Sequence, residues 1–358
     1  MNKISAKNTK KRFKIYIIIL ILLSAFILRV YSSNNMPEDD DEGIYLKAAN
    51  EYRPLINEKN INGIIEYKYN SEHPALTKLI YSVALNLVKP SKQDKKSQIY
   101  VGRIISSIIG TAAVGIISLM NPMAGFLFAI QTISIKYTSE MMLEAIPLLA
   151  CLLSIYFILK SKLSLDKCSI ISAISLGLVF GSKISYFPIL IPIIFILLKE
   201  KKYSLKNFII YGIIAILTML LLNVSWWNHP VTEISNTIHY HINYSVGEYV
   251  QRVGFPWYQP LKWISHPKID NQNVFPIYLD TLIFILAIIG LKKEYIKRKW
   301  SIVWLFSSVI ILLIWPTKWP QYSLIAIPPL CLTASSGISQ IFSILKRLFS
   351  KNKIKNKK

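Results

Sequence analysis

The sequence has few cysteines and few acidic residues, and each shortage narrows the range of protein classes to which it can belong. Three cysteines occur in 358 residues, Cys151, Cys168 and Cys331, and none forms a CxxC pair, so neither a disulfide framework nor a zinc site is expected. Only 19 acidic residues accompany 42 basic ones, which gives a formal net charge of +23. In a soluble chain that charge would suggest nucleic-acid binding. Here Lys and Arg lie mainly in short connectors and tails, so nucleic acid is not an expected partner.

Charged residues are also missing from long stretches of the chain. Hydrophobic residues make up 53% of the sequence and lie in blocks rather than in helical stripes. A bilayer core takes about 20 apolar residues per helix, and Ile- and Leu-rich blocks without alternation exclude a membrane barrel. We therefore predict an all-α polytopic membrane protein. It would have about ten transmembrane helices, at residues 13–33, 99–120, 122–138, 141–159, 169–183, 184–198, 207–226, 275–291, 300–316 and 321–342.

Basic residues predict which ends of these helices are cytoplasmic. They crowd both tails and three short connectors, at residues 1–14, 160–167, 199–206, 292–299 and 346–358. With the N-terminus inside, alternation of ten spans places all five segments on the cytoplasmic side, as the positive-inside rule requires. We expect a multi-pass plasma-membrane protein with both termini cytoplasmic. Residues 1–345 would form one transmembrane domain, and residues 346–358 a basic cytoplasmic tail.

Two outer loops are long, at about residues 34–98 and 227–274, and loops of that length are usually functional or disordered. In the first, the apolar density of residues 75–88 predicts a helix lying against the membrane, and residues 44–56 predict a shorter amphipathic helix. The second loop is aromatic. An interfacial belt and a sugar- or lipid-binding wall both explain its Trp226, Trp227, Tyr240, Tyr244, Tyr249, Phe255, Trp257, Tyr258 and Trp263.

The first outer loop begins with five consecutive carboxylates at residues 38–42. Like charges repel, and a low-dielectric environment strengthens the repulsion. Such a run needs a cation, a hydrogen-bond network or a role in proton transfer. Other ionisable residues are predicted at the same membrane face, and residues of this kind are functional candidates. They are His73, Lys78, Arg103, Lys136, Glu140, Glu144, Lys183, His229, Arg252 and Lys318.

Some of these residues have simpler explanations. Arg103 and Lys183 could extend to the headgroups as snorkelling cations. Glu144 lies about one turn inside the fourth predicted span, where we expect it to pair with a cation such as Lys136. His239 and His241 form an HxH pair, but no third ligand is evident, so no metal site is expected there.

Several short motifs, taken in order, resemble the GT-C superfamily of polyprenyl-phosphate-sugar-dependent glycosyltransferases. The resemblance covers about residues 10–340 and is strongest to the dolichyl-phosphate-mannose-protein mannosyltransferase and aminoarabinose transferase branch. It rests on Asp41-Glu42-x-x-Tyr45, His73-Pro74-Ala75-Leu76-Thr77-Lys78, Gly102-Arg103-Ile104 followed by Gly110-Thr111, Met142-Leu143-Glu144, Gly181-Ser182-Lys183, and the segment from Lys318 through Tyr322 to Pro328. Ala75 stands where the family has a second proline. The chain also ends soon after the tenth span, without the C-terminal domain of longer members, which leaves the acceptor open.

The resemblance implies a GT-C-like fold and an inverting transfer of a sugar from a polyprenyl-phosphate donor to a hydroxyl of a protein, lipid or glycan at the outer face. Asp41 would be the general base and Glu42 would orient it or bind the acceptor, with the register among Asp39–Asp41 open. Cations would stabilise the departing phosphate. The residues implied are Arg103, Lys183 and Lys78 for the phosphate, and His73, Tyr45, Glu144, Lys318 and Tyr322 for the acceptor or for structural support. No cofactor is expected, although carboxylates suit Mg or Mn and leave a divalent ion open.

Two other classes of function remain for this sequence. A transporter or lipid-linked sugar flippase without chemistry would explain about ten spans and buried charges, but not a long outer loop that begins with an acidic pair. Transporters also tend to have repeated halves and broken helices, and the sequence indicates neither. A non-catalytic subunit of an envelope-assembly complex is the third possibility.

Overall fold

The regular structure is helical throughout the described residues. The computed structural model describes residues 2–87, 94–162, 165–267, 274–275 and 277–355. Its α-helices are α1 (Asn2–Asn35), α2 (Asp40–Asn57), α3 (Ile61–Glu66), α4 (Leu76–Leu85), α5 (Lys95–Met120), α6 (Pro122–Ile130), α7 (Thr132–Tyr137), α8 (Ala145–Lys160), α9 (Lys167–Ser182), α10 (Leu190–Phe195), α11 (Leu205–Leu222), α12 (Pro230–Val246), α13 (Glu248–Val253), α14 (Gln259–Ser265), α15 (Asp280–Lys297), α16 (Lys299–Ile314) and α17 (Ile327–Lys355). Short 3-10 helices are Ile184–Ile189, Val224–Trp226 and Pro320–Ala326, and Ile196–Glu200 is a π-helical turn.

The helices confirm the predicted all-α membrane class. A helix covers most of every predicted span, and α2 and α4 lie where the first long loop predicted helices. Within the described residues, four helices are long and apolar enough to cross a membrane: Arg12–Asn35, Lys95–Met120, Leu205–Leu222 and Pro320–Ser350. The total of ten spans stays a prediction. The predicted tail at residues 346–358 begins as a continuation of α17, and its last residues, 356–358, lie outside the described residues.

The apolar blocks fold into a bundle with a buried centre and an apolar exterior. Its largest buried cluster includes Val114 of α5, Phe128 of α6 and Trp304 of α16. On other faces, large side chains such as Ile213 and Ile310 are exposed, which suits contact with lipid.

The third predicted span is broken. Gln131 adopts an extended conformation between α6 and α7, and its side-chain oxygen accepts the Ser134 amide at 2.7 Å. Asp280, at the start of α15, accepts the Thr132 amide at 3.0 Å and the Thr132 hydroxyl at 2.5 Å. These caps replace the hydrogen bonds that the break removes, which is the condition for interrupting a helix in a bundle. The expectation of unbroken spans is therefore wrong here.

Helices α15 and α17 cross at two glycines. A Cβ on Gly290 would lie 2.1 Å from the Thr333 carbonyl oxygen, and one on Gly337 would lie 2.0 Å from the Leu286 carbonyl oxygen. Small residues at such a crossing let two membrane helices approach backbone to backbone.

Alanine at Gly290 should therefore destabilise the bundle. Because the added methyl group must push the helices apart, we expect a loss of about 1–3 kcal/mol, the usual cost of overpacking. The measurement is unfolding of the purified protein in detergent. Gly212→Ala is the matched control, since a Cβ at Gly212 meets nothing within 4 Å. Equal stability of the two variants would contradict the close crossing.

Several segments meet at one end of the bundle, called here the site end. It comprises the end of α1, the start of α2, the 136–144 segment and the turn at Lys183. Hydrogen bonds join these segments: the Ser33 hydroxyl donates to the Ser139 carbonyl, and the Met141 amide donates to the Glu42 carboxylate. The first long loop adds α4, which is fastened at its start by the Ala75 amide donating to the Asn223 side chain.

Candidate active site

A buried Arg–Glu pair fixes the start of α2. Asp39 is the N-cap, and Glu42 completes a capping box by accepting the Asp39 amide at 3.0 Å. The Arg103 guanidinium of α5 donates from Nε and Nη2 to the two oxygens of the same carboxylate, at 2.7 and 2.5 Å. Met141 donates its amide to Glu42 at 2.8 Å. Glu42 is therefore held from three directions, by α2, by α5 and by the segment before α8.

The remaining donors of Arg103 bind the backbone at the end of α1. They reach the carbonyl oxygens of Ser33 at 2.7 Å, Met36 at 2.9 Å and Pro37 at 2.7 Å. With the two bonds to Glu42, all five N–H donors of the guanidinium are in use. The phosphate contact predicted for Arg103 has no free donor in this arrangement, and it stays a prediction. Snorkelling does not describe this residue, since its side chain is buried.

The five consecutive carboxylates have different environments. Glu38 pairs with Lys95, Asp39 caps α2, Asp40 is exposed, and Glu42 binds Arg103. Asp41 is half-buried, and its carboxylate has no hydrogen-bond or ion-pair partner in the described part of the chain.

Burial makes Asp41 a stronger base than an ordinary aspartate. It raises the pKa of Asp41 to about 6. Lys183 opposes that rise, and the negative charges of Glu144, Asp39 and Asp40 add to it. A half-buried carboxylate with a raised pKa and no internal partner can accept a proton from a bound hydroxyl.

Lys183 and Glu144 form a buried ion pair beside Asp41. Lys183 lies at the break after α9, and Glu144 immediately precedes α8; their side chains are 6% and 1% exposed. The Lys183 ammonium also lies 5.7 Å from the centre of the Tyr322 ring. Snorkelling therefore does not describe Lys183 either. The second carboxylate oxygen of Glu144 is buried without a partner among the described residues.

Glu144 pairs with a cation, as expected, but its partner is Lys183 and not Lys136. Lys136 instead binds Glu140 at 2.7 Å, four residues further on, and lies 3.8 Å from Asp39. The 136–144 segment turns after α7, so Lys136 and Glu144 point to different neighbours. Burial raises the pKa of Glu140 to about 8, with Lys136 opposing the rise.

The His-Pro motif forms another wall of the site. The His73 ring lies 6.3 Å from the Tyr45 ring and 5.8 Å from the His241 ring, measured between centroids. Burial, followed by the charges of Lys183 and Lys78, holds the pKa of His73 well below its ordinary range. His73 is therefore neutral at neutral pH.

Two predicted site lysines bind backbone carbonyls. The Lys78 ammonium donates to the carbonyl oxygens of Asn70 at 2.6 Å and His73 at 2.9 Å. Lys318 donates to three carbonyls at the end of α16, those of Leu312, Leu313 and Trp315. Lys78 thus ties the loop that carries His73, and Lys318 caps α16. The phosphate role of Lys78 stays a prediction.

Arg29 is a structural residue that was not among those predicted from the sequence. It is fully buried in α1, and its guanidinium donates to the hydroxyls of Thr138 at 2.8 Å and Ser134 at 2.9 Å. It has no carboxylate partner in the described part of the chain. An arginine inside an apolar block was the signal that could have revealed it. Arg29 fastens α7 to α1 and so supports the segment that leads to Glu144.

Two solved structures share this architecture. They are ArnT from Cupriavidus metallidurans bound to undecaprenyl phosphate, and the same protein in the apo state. Each has a TM-score of 0.62 to this chain, at 13% and 14% sequence identity. The alignments cover 91% and 96% of this chain, but only 60% and 63% of ArnT. No family model matches the sequence, and no curated protein matches it.

The chain has the ArnT fold. ArnT is an aminoarabinose transferase of the GT-C superfamily, so the fold expected from the short motifs is confirmed. This chain spans less than two thirds of the ArnT length, and the predicted single-domain boundaries stay a prediction. No group of three or more His, Cys, Asp or Glu side chains is placed to hold a metal ion within the described residues. The expectation that no cofactor is needed stays a prediction.

Proposed function

We propose that this protein transfers a sugar from a polyprenyl-phosphate-linked donor to an acceptor hydroxyl, with inversion, at the outer face of the plasma membrane. The observation that carries the proposal is the unpaired, half-buried Asp41 carboxylate beside the buried Lys183–Glu144 pair. A fold shared with a glycosyltransferase that binds undecaprenyl phosphate supports the donor class. Both hexosyl and pentosyl donors suit the proposal, and a hydroxyl of a protein, lipid or glycan suits the acceptor position.

In this mechanism Asp41 removes the proton of the acceptor hydroxyl as its oxygen attacks the anomeric carbon. The bond between that carbon and the phosphate oxygen breaks, and polyprenyl phosphate departs with the electron pair. A cation aimed at the departing oxygen lowers the barrier. Lys183 suits this role best among the three proposed cations, because its only hydrogen-bond acceptor in the described residues is Glu144. Its other N–H groups can face the phosphate.

The rate should depend on pH through Asp41. The base works only when it is deprotonated, and its pKa is raised to about 6. Transfer should therefore fall as pH decreases through about 6 and level off above it. Since Asp40 contributes to the raised pKa, Asp40→Asn should move the midpoint to lower pH. Initial rates in proteoliposomes from pH 4.5 to 8 would measure both the wild-type pH profile and the shift of its midpoint in Asp40→Asn. A profile flat across this range would exclude Asp41 as the titrating base.

The direct test is transfer from labelled donors. Membranes that contain the wild type or Asp41→Asn would receive radiolabelled polyprenyl-phosphate mannose, glucose, aminoarabinose and pentose. Loss of label from one donor with the wild type only would support the proposal, and the labelled product would identify the acceptor. Unchanged donor that crosses the bilayer, with no turnover, would favour the flippase.

A further inference from the structure

Helix α12 has an exposed apolar stripe along one side. Val231, Ile238, Ile242 and Val246 have exposed fractions of 80%, 47%, 53% and 61%. Their spacings of seven, four and four residues place them within a sector of about 80° on a helix of 3.6 residues per turn.

The other sides of α12 carry mostly polar residues or face the protein, with Tyr240 exposed opposite the stripe. Asn236 and Asn243 are exposed on a different side of the helix. On the inner side, Glu233 binds Lys68 of the first long loop at 2.6 Å. Ser235, half-buried, is the one polar residue within the sector of the stripe. A mainly apolar face of this kind on an otherwise polar helix indicates a partner.

The helix begins where α11 leaves the bundle. Most of α11 is exposed and apolar, and it is long enough to cross a membrane. Residues 223–229, which include the 3-10 turn Val224–Trp226, separate it from Pro230, the first residue of α12. Trp227 is 47% exposed and donates its ring N–H to the Leu220 carbonyl at 3.0 Å. A tryptophan at the end of a membrane helix marks the interface with water.

The stripe is also continuous with the apolar surface of the spans. Ile238 and Ile242 share a cavity of about 280 Å³ with Ile184, Phe187 and Trp315, which lie at the site ends of neighbouring spans. The stripe therefore extends the surface that faces lipid instead of standing apart from it.

We propose that α12 lies flat in the membrane interface with this stripe in the lipid. At 17 residues, with Glu233, Asn236, His239 and Asn243 along it, the helix is too short and too polar to span the bilayer. Interfacial helices of this type bind through buried apolar area and, where they are basic, through anionic lipid.

Charge indicates which of those two forces acts. Residues 227–267 contain two acidic residues, Glu233 and Glu248, and two basic ones, Arg252 and Lys262. Apolar burial therefore drives the docking, and neutral lipid is a sufficient partner. Next to the stripe, α12 contributes His241 and Tyr244 to the same cavity that Ile238 and Ile242 line, and Tyr322 lines it as well. Docking thus holds one wall of the site in place.

Spin labels would test the depth of the helix. Single cysteines at Val231, Val246 and Asn243 would be introduced in a Cys168→Ser background, since Cys151 and Cys331 are buried. Each nitroxide-labelled protein would be placed in phosphatidylcholine nanodiscs, with and without phosphatidylglycerol. Collision with oxygen, which concentrates in lipid, would be compared with collision with a water-soluble nickel chelate. Asn243 is the matched control because it lies on the same helix, away from the stripe.

The two stripe labels should have a severalfold higher ratio of oxygen to nickel collisions than the Asn243 label, unchanged by phosphatidylglycerol. Equal nickel access at all three positions would overturn the proposal. The proposal would also be overturned if the stripe labels were shielded from both reagents and their spectra showed spin–spin broadening. That result would mean that a second copy of the chain covers the stripe. The test needs no transfer activity and is independent of the proposed reaction.

Discussion

Replacing Asp41 with asparagine should lower the rate of sugar transfer by about 10²- to 10⁴-fold, the usual contribution of a general base. Asparagine keeps the size of the side chain but cannot take the proton of the acceptor hydroxyl. The loss should appear in kcat, with little change in donor affinity, because Asp41 acts on the acceptor. Release of label from a polyprenyl-phosphate donor in proteoliposomes would measure it.

The neighbouring carboxylate supplies the control. Asp40 is exposed and adjacent in sequence, so Asp40→Asn removes the same charge without removing the proposed base. It should keep nearly full activity at pH 8. Asp40→Asn should unfold like the wild type, and Asp41→Asn should be at least as stable, because burial already disfavours the charged Asp41 carboxylate. Equal activity of Asp41→Asn and the wild type would refute the mechanism.

The sequence predicted which residues gather at the site end, because successive membrane helices run in opposite directions and so fix the end of the bundle at which each connector lies. Asp41 follows the first span, Lys183 stands at a turn between two spans, and His73 lies in the long loop between α1 and α5. Basic connectors marked the opposite ends. Once the spans are counted, the order of the motifs along the chain implies a common face.

The sequence did not predict which charges pair. Glu144 and Lys136 are eight residues apart, yet Glu144 binds Lys183 from another helix. Such a choice depends on how each helix is rotated about its axis and on the turn after α7, and sequence spacing fixes neither. The break at Gln131 was missed for a similar reason. The cap that permits it comes from Asp280, which is distant in sequence.

Spacing also could not separate five adjacent carboxylates. A capping box requires an acceptor at the N-cap and a Glu or Gln three residues later, and Asp39 with Glu42 meets that rule. Applied to the sequence, the rule would have assigned those two residues to the start of α2. It would have left Glu38, Asp40 and Asp41 unassigned, and among these only burial, which spacing does not give, distinguishes Asp41.

Arg103 is where the largest loss of stability is expected. Breaking a buried ion pair leaves a charge uncompensated, so Arg103→Met should lower the free energy of unfolding by about 3–5 kcal/mol. Three backbone carbonyls at the end of α1 would lose their donors as well. Unfolding in detergent would measure the change. Lys95→Met is the matched control, since its pair with Glu38 is exposed and should contribute little.

The same variants decide between two roles for the guanidinium. If Arg103 positions the start of α2, Glu42→Gln should recover part of the stability lost in Arg103→Met, because the buried carboxylate would no longer be charged. Arg103→Lys should fail to rescue, because an ammonium cannot bind both carboxylate oxygens and three carbonyls at once. If Arg103→Met instead keeps wild-type stability and raises the KM for the donor, Arg103 contacts the donor phosphate. The contacts of Arg103 with Glu42 and the three carbonyls would then be a resting arrangement that opens when the donor binds. Helix α2 alone would then position Asp41.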